Sequence, residues 1–323
     1  MQGVSIREIP AGRPGAGIPV VRVHYSGDPS MTPTRLATLR SKYTSEARFR
    51  RELEIEYTAL EGELLYPEFN RERNLCEPFD CSDRDRWTLY MALDPHPRTA
   101  HAMVWEAFNK HGDRAVCLEF WPEFGTTFGP TDAIRWHTRE YAEWIQFFES
   151  DSNDKPEPAR WARGKRLFIQ QRYMDTFGSA ANSDEGEDYF ETYRRIGHEL
   201  TKASISNPSM AVNLNFTPAL KGHDNLAKAQ DSIARALMPQ QDAAGNNVAP
   251  PRMHIFENLY ELIDEFENVR FPEGSPERIA DERPITYQKH VIDCLHYIET
   301  ARPRFVMQNR ERGPAPDDPN IVR

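Results

Sequence analysis

The chain has 323 residues, 39% of them hydrophobic, and a formal net charge of −10 at pH 7. That is apolar material for a substantial core in one large or two smaller domains, and it excludes a wholly disordered chain or a coiled coil. No apolar run approaches the ~20 residues a membrane-crossing helix needs, and the N-terminus "MQGVSIREIPAGRPGAGIPV" lacks the apolar centre of a signal peptide, so the reading is a soluble, intracellular protein.

Residues 1–20, rich in Gly and Pro, read as a flexible or extended lead, and "IPVVRVHYSGDP" as a short strand and turn. One or two helices are expected over 31–62, opening at Thr32 with Pro33 in the first turn and closed by Gly62. After "ELLYPEF" a polar connector, 70–86, marks the main boundary. Three strand-forming runs follow, "RWTLYMALD", "AHAMVWEAFN" and "RAVCLEFWPE", separated by "PHPRT" and "KHGD", the punctuation of an antiparallel meander. "TDAIRWHTREYAEWIQFFES" has helical spacing with Thr131 or Asp132 as its cap. "SNDKPEPARWARG" reads as a surface loop, "KRLFIQQRYMD" as a fourth strand and "YFETYRRIGHELTKA" as a helix. A weaker strand, "SMAVNLNF", a helix, "NLAKAQDSIARAL", a loop, "QQDAAGNNVAPP", and the strand-then-helix "RMHIFENLYELIDEFENVRF" come next. The last helix lies in "ITYQKHVIDCLHYIETARP". On it Val291, Cys294, Leu295 and Ile298 share an apolar face, while Thr286, His290, Asp293 and Tyr297 line a polar one.

The four cysteines, Cys76, Cys81, Cys117 and Cys294, fit no zinc spacing and are expected as reduced thiols. An acidic balance argues against a chain built to grip a polyanion, yet the charge is uneven. Arg35, Arg40, Lys42, Arg48, Arg50 and Arg51 cluster, as do Arg160, Arg163, Lys165, Arg166 and Arg172, while acids dominate 182–191 and 257–282. A basic groove on an acidic body is compatible with this, although arginine runs are more often solvated faces.

Two of the strands finish in an aspartate, Asp94 and Asp175. Side by side in a sheet they would emerge at one edge, where Asp293, on a helix packed over that edge, could join them. Like charges so gathered disfavour ionisation, so the cluster must shift its pKa values or bind cations. Mg²⁺ or Mn²⁺ suits carboxylate ligands, and two ions ~3.5 to 4 Å apart stabilise the attacking and leaving oxygens of a phosphodiester displacement. Taken singly, an aspartate after a strand is ordinary turn chemistry. Glu119 is a competing ligand, but strand alternation groups it with Cys117 and Trp121, which favours a structural place or one behind the ligands. His96 and His101 flank the first hairpin turn and could reach metal or phosphate, the plainer reading being ordinary loop histidines.

The order of these motifs resembles that of the large terminase subunits of tailed bacteriophages, the motors that cut concatemeric DNA and pump it into the capsid. "FRRELEIEYTALEGELLYPEF" resembles the segment closing that family's ATPase domain, and "YMALDPHPRTAHAMVWEAF" the first hairpin of its nuclease domain. "RYMD" followed by Gly178 is similar to the second acidic strand end, and "MHIFENLYELIDEFENVRF" to the stretch before the last helix. "KHVIDCLHYI" resembles the closing His-x-x-Asp-Ala-x-x-Tyr helix. The match spans most of the chain.

The resemblance implies an α/β, RNase H-like fold, a mixed β-sheet with three antiparallel strands first and helices on both faces. It implies a nuclease domain over 76–310, a lead over 1–75 like the end of the ATPase domain, and a flexible tail over 311–323. The implied activity is that of a Mg²⁺- or Mn²⁺-dependent endodeoxyribonuclease using two ions. Asp94, Asp175 and Asp293 are its expected metal ligands, with His290 contacting a metal, orienting a metal-bound water or hydrogen-bonding a neighbouring carboxylate. Lys165, Arg166 and Arg172 are the expected phosphate contacts. Implied partners are double-stranded DNA, a terminase ATPase domain or subunit, the small terminase subunit and the portal, in the host cytoplasm and away from membranes.

The chain also departs from that family. No glycine soon follows the first aspartate in "DPHPRT", Cys294 stands for the usual alanine, and no G-x-x-x-x-G-K-[ST] occurs. No ATP hydrolysis is therefore expected, the chain being either a C-terminal piece of a longer terminase or a nuclease encoded apart from its ATPase. Two rival readings are another RNase H-like enzyme, such as a junction resolvase or transposase, and a non-catalytic module that docks on motor partners.

Overall fold

A computed structural model of the chain describes residues 4–8, 19–23, 25, 28, 30–40, 49–50, 64–95, 100–121, 136–175, 187–220, 222–242, 244–271 and 289–307. The lead is a hairpin rather than a single strand. β1 (Val4–Glu8) pairs antiparallel with β2 (Pro19–Val23), because both are short β-branched runs on either side of a Gly- and Pro-rich link. Helix α1 (Pro33–Arg40) opens as expected, with the Thr32 hydroxyl accepting the Arg35 N–H at 3.2 Å. Gly62 lies outside the described residues.

The centre is a seven-stranded mixed sheet in the order β3 (Leu75–Cys76), β11 (Met253–Phe256), β6 (Arg114–Phe120), β5 (Ala102–Asn109), β4 (Trp87–Asp94), β7 (Ile169–Met174) and β8 (Thr217–Pro218). β4, β5 and β6 form the antiparallel meander, with Asp94 opposite Ala102 and Trp87 opposite Asn109. Its second turn is tight: Asn109 Oδ1 accepts the N–H groups of His111 and Asp113, and Gly112 takes a φ of 85°. β7 adds parallel to β4 and β8 parallel to β7, while β11 runs parallel to both β6 and β3. This is the RNase H-like arrangement. Every strand of the sheet except β5 therefore points the same way, so the C-terminal ends of β4, β6 and β7 gather at one edge, where open α/β sheets place their sites.

Helices cover both faces, which is why β4 to β6 read as nearly continuous apolar runs rather than as an alternation. On one face Trp105 of β5 meets Phe148 of α3 (Thr138–Glu149), and α4 (Tyr189–Ala203) lies beside it. On the other lie α5 (His223–Leu237), α6 (Tyr260–Asn268) and α7 (His290–Thr300), with the Cys294 thiol donating to the Ala102 carbonyl. Among the described residues no helix is long and apolar enough to cross a membrane.

Other expectations change. The 75/76 boundary does not separate two bodies: Leu65 and Tyr66 are core residues, the Leu65 N–H donates to Val269, and β3 joins the sheet. The short helix α2 (Arg71–Asn74) precedes it. Thr131 and Asp132 lie outside the described residues, and α3 starts only at Thr138, after His137. "SNDKPEPARWARG" is no surface loop. Its many polar letters hide a 3₁₀ helix, Glu157–Ala162, that buries Pro158, Ala159, Trp161 and Ala162, and fully buried Lys155 donates to the carbonyls of Ala162 and Lys165. "SMAVNLNF" is not a strand but irregular chain laid on α4, where a Cβ on Gly197 would come within 2.8 Å of Leu214. "QQDAAGNNVAPP" holds a small hairpin of β9 (Gln240–Gln241) and β10 (Asn247–Ala249).

Candidate active site

Asp94 ends β4 and Asp175 follows β7, and these strands are parallel neighbours with Leu93 beside Met174. Both aspartates therefore leave the sheet at the same edge. α7 crosses over that edge and ties them together. Its Tyr297 hydroxyl lies 3.2 Å from an oxygen of Asp94 and 3.2 Å from one of Asp175, setting the carboxylates within two hydrogen bonds of each other. His290, about two turns earlier on the same stripe, has Nδ1 2.8 Å from the other oxygen of Asp94. Its ring leans on Trp121 at the end of β6, with centroids 5.4 Å apart.

Asp293 does not join them. Lys289, one turn before it, places Nζ 2.9 Å from one of its oxygens, and His296, almost one turn after, places Nδ1 3.3 Å from the other. Two of the three predicted aspartates thus meet, and the third is held against a lysine. Among the described residues no group of three or more His, Cys, Asp or Glu is arranged to hold a metal ion.

Charge explains the difference. Burial pushes the Asp94 carboxyl above its ordinary range, and the charges of Asp293 and Asp175 push the same way against the His290 hydrogen bond. For Asp293 burial also pushes up, but the His296 hydrogen bond and the Lys289 charge outweigh it and hold the group below its usual value. Burial and the three aspartates push Tyr297 well up, so it stays a hydroxyl. Two facing carboxylates short of counter-charge, bridged through an oxygen, fit a hard divalent cation such as Mg²⁺ or Mn²⁺.

Two buried glutamates aim the helices of this site. Glu119 on β6 accepts the N–H groups of Glu261 and Leu262 at 3.0 and 2.8 Å, at the start of α6. Glu265 on α6 accepts those of Val291 and Ile292 at 3.1 and 2.6 Å, at the start of α7. Each carboxylate takes two of the N–H groups that a helix start leaves unpaired. Glu119 is thus engaged as a remote cap, the structural place its alternation suggested.

Burial lifts Glu119 from 4.5 to about 8, against the pull of its two N–H donors. Between those values the folded chain holds a proton that the unfolded chain has released, so stability falls as pH rises, by up to ~1.4 kcal/mol per pH unit from this group. Glu119→Gln flattens that slope in urea unfolding measured from pH 5 to 8. An unchanged slope in the variant rules out this protonation.

The expected phosphate contacts are placed elsewhere. Arg172 is turned inward and buried, with Nη1 2.7 Å from Glu149 Oε1 and its second amino group on the other oxygen, so a strand position inside the basic run is a core ion pair. Lys165 pairs with Asp80 at 2.9 Å, and Arg166 donates to the carbonyls of Pro208 and Ala211. Both precede β7, whose opposite end carries Asp175, and at ~3.3 Å per residue the strand sets them on the order of 25 Å from that carboxylate. His101 is a core residue, 5% exposed, stacked on Tyr141 and 2.8 Å from the Tyr193 hydroxyl. His96 lies outside the described residues.

The sequence reading gave no role to Lys289, His296 or Glu265, and placed Tyr297 only on the polar stripe. The i, i+4 and i, i+3 spacings of Lys289 and His296 from Asp293 are a readable signal, as is Tyr297 one turn beyond it. Glu265 has none, since its partners lie in another helix.

No family model matches the sequence, and no curated protein does. Solved structures do. The large terminase of a thermophilic bacteriophage in complex with ADP matches with a TM-score of 0.52 at 10% identity, over 85% of this chain and 53% of that one. The complex of the same terminase with ATP-gamma-S gives 0.51 at 11%, over 85% and 54%. The P22 large terminase nuclease domain is matched over 75% of this chain and 94% of that one, at 10% identity and a TM-score of 0.47. The chain spans about half the length of the thermophilic phage's large terminase. At such identity the likeness is one of fold, and it agrees with the sheet order and direction: in fold, the chain is a terminase nuclease-like domain with an RNase H-like sheet.

Proposed function

We propose that the chain is the endonuclease of a genome-packaging terminase, cutting concatemeric double-stranded DNA by phosphodiester hydrolysis with two Mg²⁺ or Mn²⁺ ions. The observation that carries this reading is the pairing of Asp94 and Asp175 through Tyr297 at the sheet edge, with His290 on Asp94. Asp94 and Asp175 would hold one ion, and Asp293 would serve the second once Lys289 lets go. When bound, the ions supply Lewis-acid stabilisation of charge on the attacking and leaving oxygens.

The chain's own residues set the conditions for that step. His290 Nδ1 fixes the orientation of the Asp94 carboxylate, and Trp121 limits the tilt of the imidazole. Tyr297 keeps the two carboxylates apart and partly neutralised until a cation arrives. The acidic chain, with Lys165, Arg166 and Arg172 engaged in their own contacts, grips isolated DNA weakly. Delivery of the duplex then depends on motor partners: the ATPase domain or subunit, the small subunit and the portal.

The test is cleavage of supercoiled plasmid, linear duplex and a four-way junction by the purified chain. Mn²⁺-dependent cutting of plasmid and linear duplex, stopped by EDTA, is the expected result. Preference for the junction favours a resolvase, and no cutting with any divalent ion favours a docking module.

A further inference from the structure

Asp293 is gripped on two sides that differ in kind. Lys289 is the open side, its side chain 22% exposed. His296 is the closed side, 2% exposed, and its Nε2 lies 2.6 Å from the Tyr66 hydroxyl. Tyr66 belongs neither to the sheet nor to α7. It comes from the stretch before β3 and is 1% exposed, with its ring 5.2 Å from that of Phe266 on α6. The neighbouring Leu65 N–H donates to Val269 at 2.8 Å.

The chemistry gives this chain one direction. A carboxylate only accepts, so His296 Nδ1 donates to Asp293. Its Nε2 is then the acceptor for the Tyr66 O–H in the neutral ring. The tyrosine thereby selects the tautomer that holds the aspartate, as a partner behind a metal ligand does.

We propose that Tyr66 and His296 are positioning residues for Asp293: they hold its carboxylate in the orientation that receives the second divalent ion, and they make that site depend on the docking of segment 64–70. The proposal rests on the nuclease reading. An arriving cation replaces the charge of Lys289 at the open side and leaves the buried His296 hydrogen bond in place.

The experiment is Mn²⁺ binding to the full chain, followed by the electron paramagnetic resonance of free Mn²⁺, alongside the kinetics of plasmid cleavage. The variants are Tyr66→Phe, which keeps the ring, His296→Leu, which removes both nitrogens, and His296→Asn, which restores a donor near the Nδ1 position. Wild type is expected to bind two ions. Tyr66→Phe and His296→Leu keep the first and bind the second about 10- to 100-fold more weakly, with kcat reduced, KM for DNA unchanged and His296→Asn recovering much of the loss. Two ions bound equally well by wild type and His296→Leu overturn the proposal and leave the nuclease reading standing. An Asn variant as impaired as Leu assigns His296 a packing role and also overturns it. Absence of Mn²⁺ binding in wild type removes the nuclease reading itself.

Discussion

Asp94→Ala lowers Mn²⁺-dependent plasmid cleavage by at least ~10³-fold and leaves the chain folded. The first half follows from the place of Asp94, which shares Tyr297 with Asp175 and takes the His290 hydrogen bond, so its loss removes one of two facing ligands. Lewis-acid stabilisation is worth several kcal/mol, and about 4 kcal/mol of lost stabilisation is ~10³ in rate. The second half follows from the sign of its pKa shift. The folded value lies above the ordinary one, through burial first and the neighbouring aspartates next, so in the absence of metal the ionised group opposes folding above that ordinary value. Its backbone pairing with Ala102 needs no carboxylate. Without metal, the melting temperature of the variant at pH 8 is expected to be no lower than that of wild type, and Mg²⁺ raises only the latter. Undiminished cleavage by a cleanly purified variant sinks the assignment.

Arg172→Ala is expected to cost stability rather than DNA affinity. Its guanidinium and the Glu149 carboxylate are each 7% exposed, and Glu149 also accepts the Trp105 indole N–H at 3.0 Å. Removing one partner strands a buried charge, which costs about 3–5 kcal/mol, whereas replacing both with apolar residues of similar volume recovers much of that. Urea unfolding measures the first effect, and the salt dependence of DNA binding checks the second. A stable Arg172→Ala whose log–log salt slope falls by about one unit would show that the side chain faces phosphate instead.

The sheet is legible in the sequence because its strands are long apolar runs broken by turn residues, and β4 to β7 fall close to their expected bounds. Asp94 and Asp175 are legible as strand ends, but nothing local says that the strands are neighbours; the order of motifs along the chain supplies that. The polar stripe of α7 is legible from its period, and it does face the strand ends. What the period does not show is that His296 and Glu299 are also buried, because their partners come from elsewhere: Tyr66, 230 positions away, and Arg114, 185 away. The same limit hides the capping by Glu119, whose N–H partners lie 142 and 143 residues on. Arg172 misleads for a related reason. A cluster of basic letters reads as a surface, and only the placement of α3 against β7 reveals Glu149 beneath it.

The metal centre itself is decided by anomalous diffraction from crystals of the chain soaked in Mn²⁺. The expected map has one peak bounded by the carboxylates of Asp94 and Asp175 and a second at Asp293, with Lys289 Nζ moved off that carboxylate. A map without a peak at Asp94 and Asp175, at Mn²⁺ concentrations that saturate cleavage, contradicts the assignment.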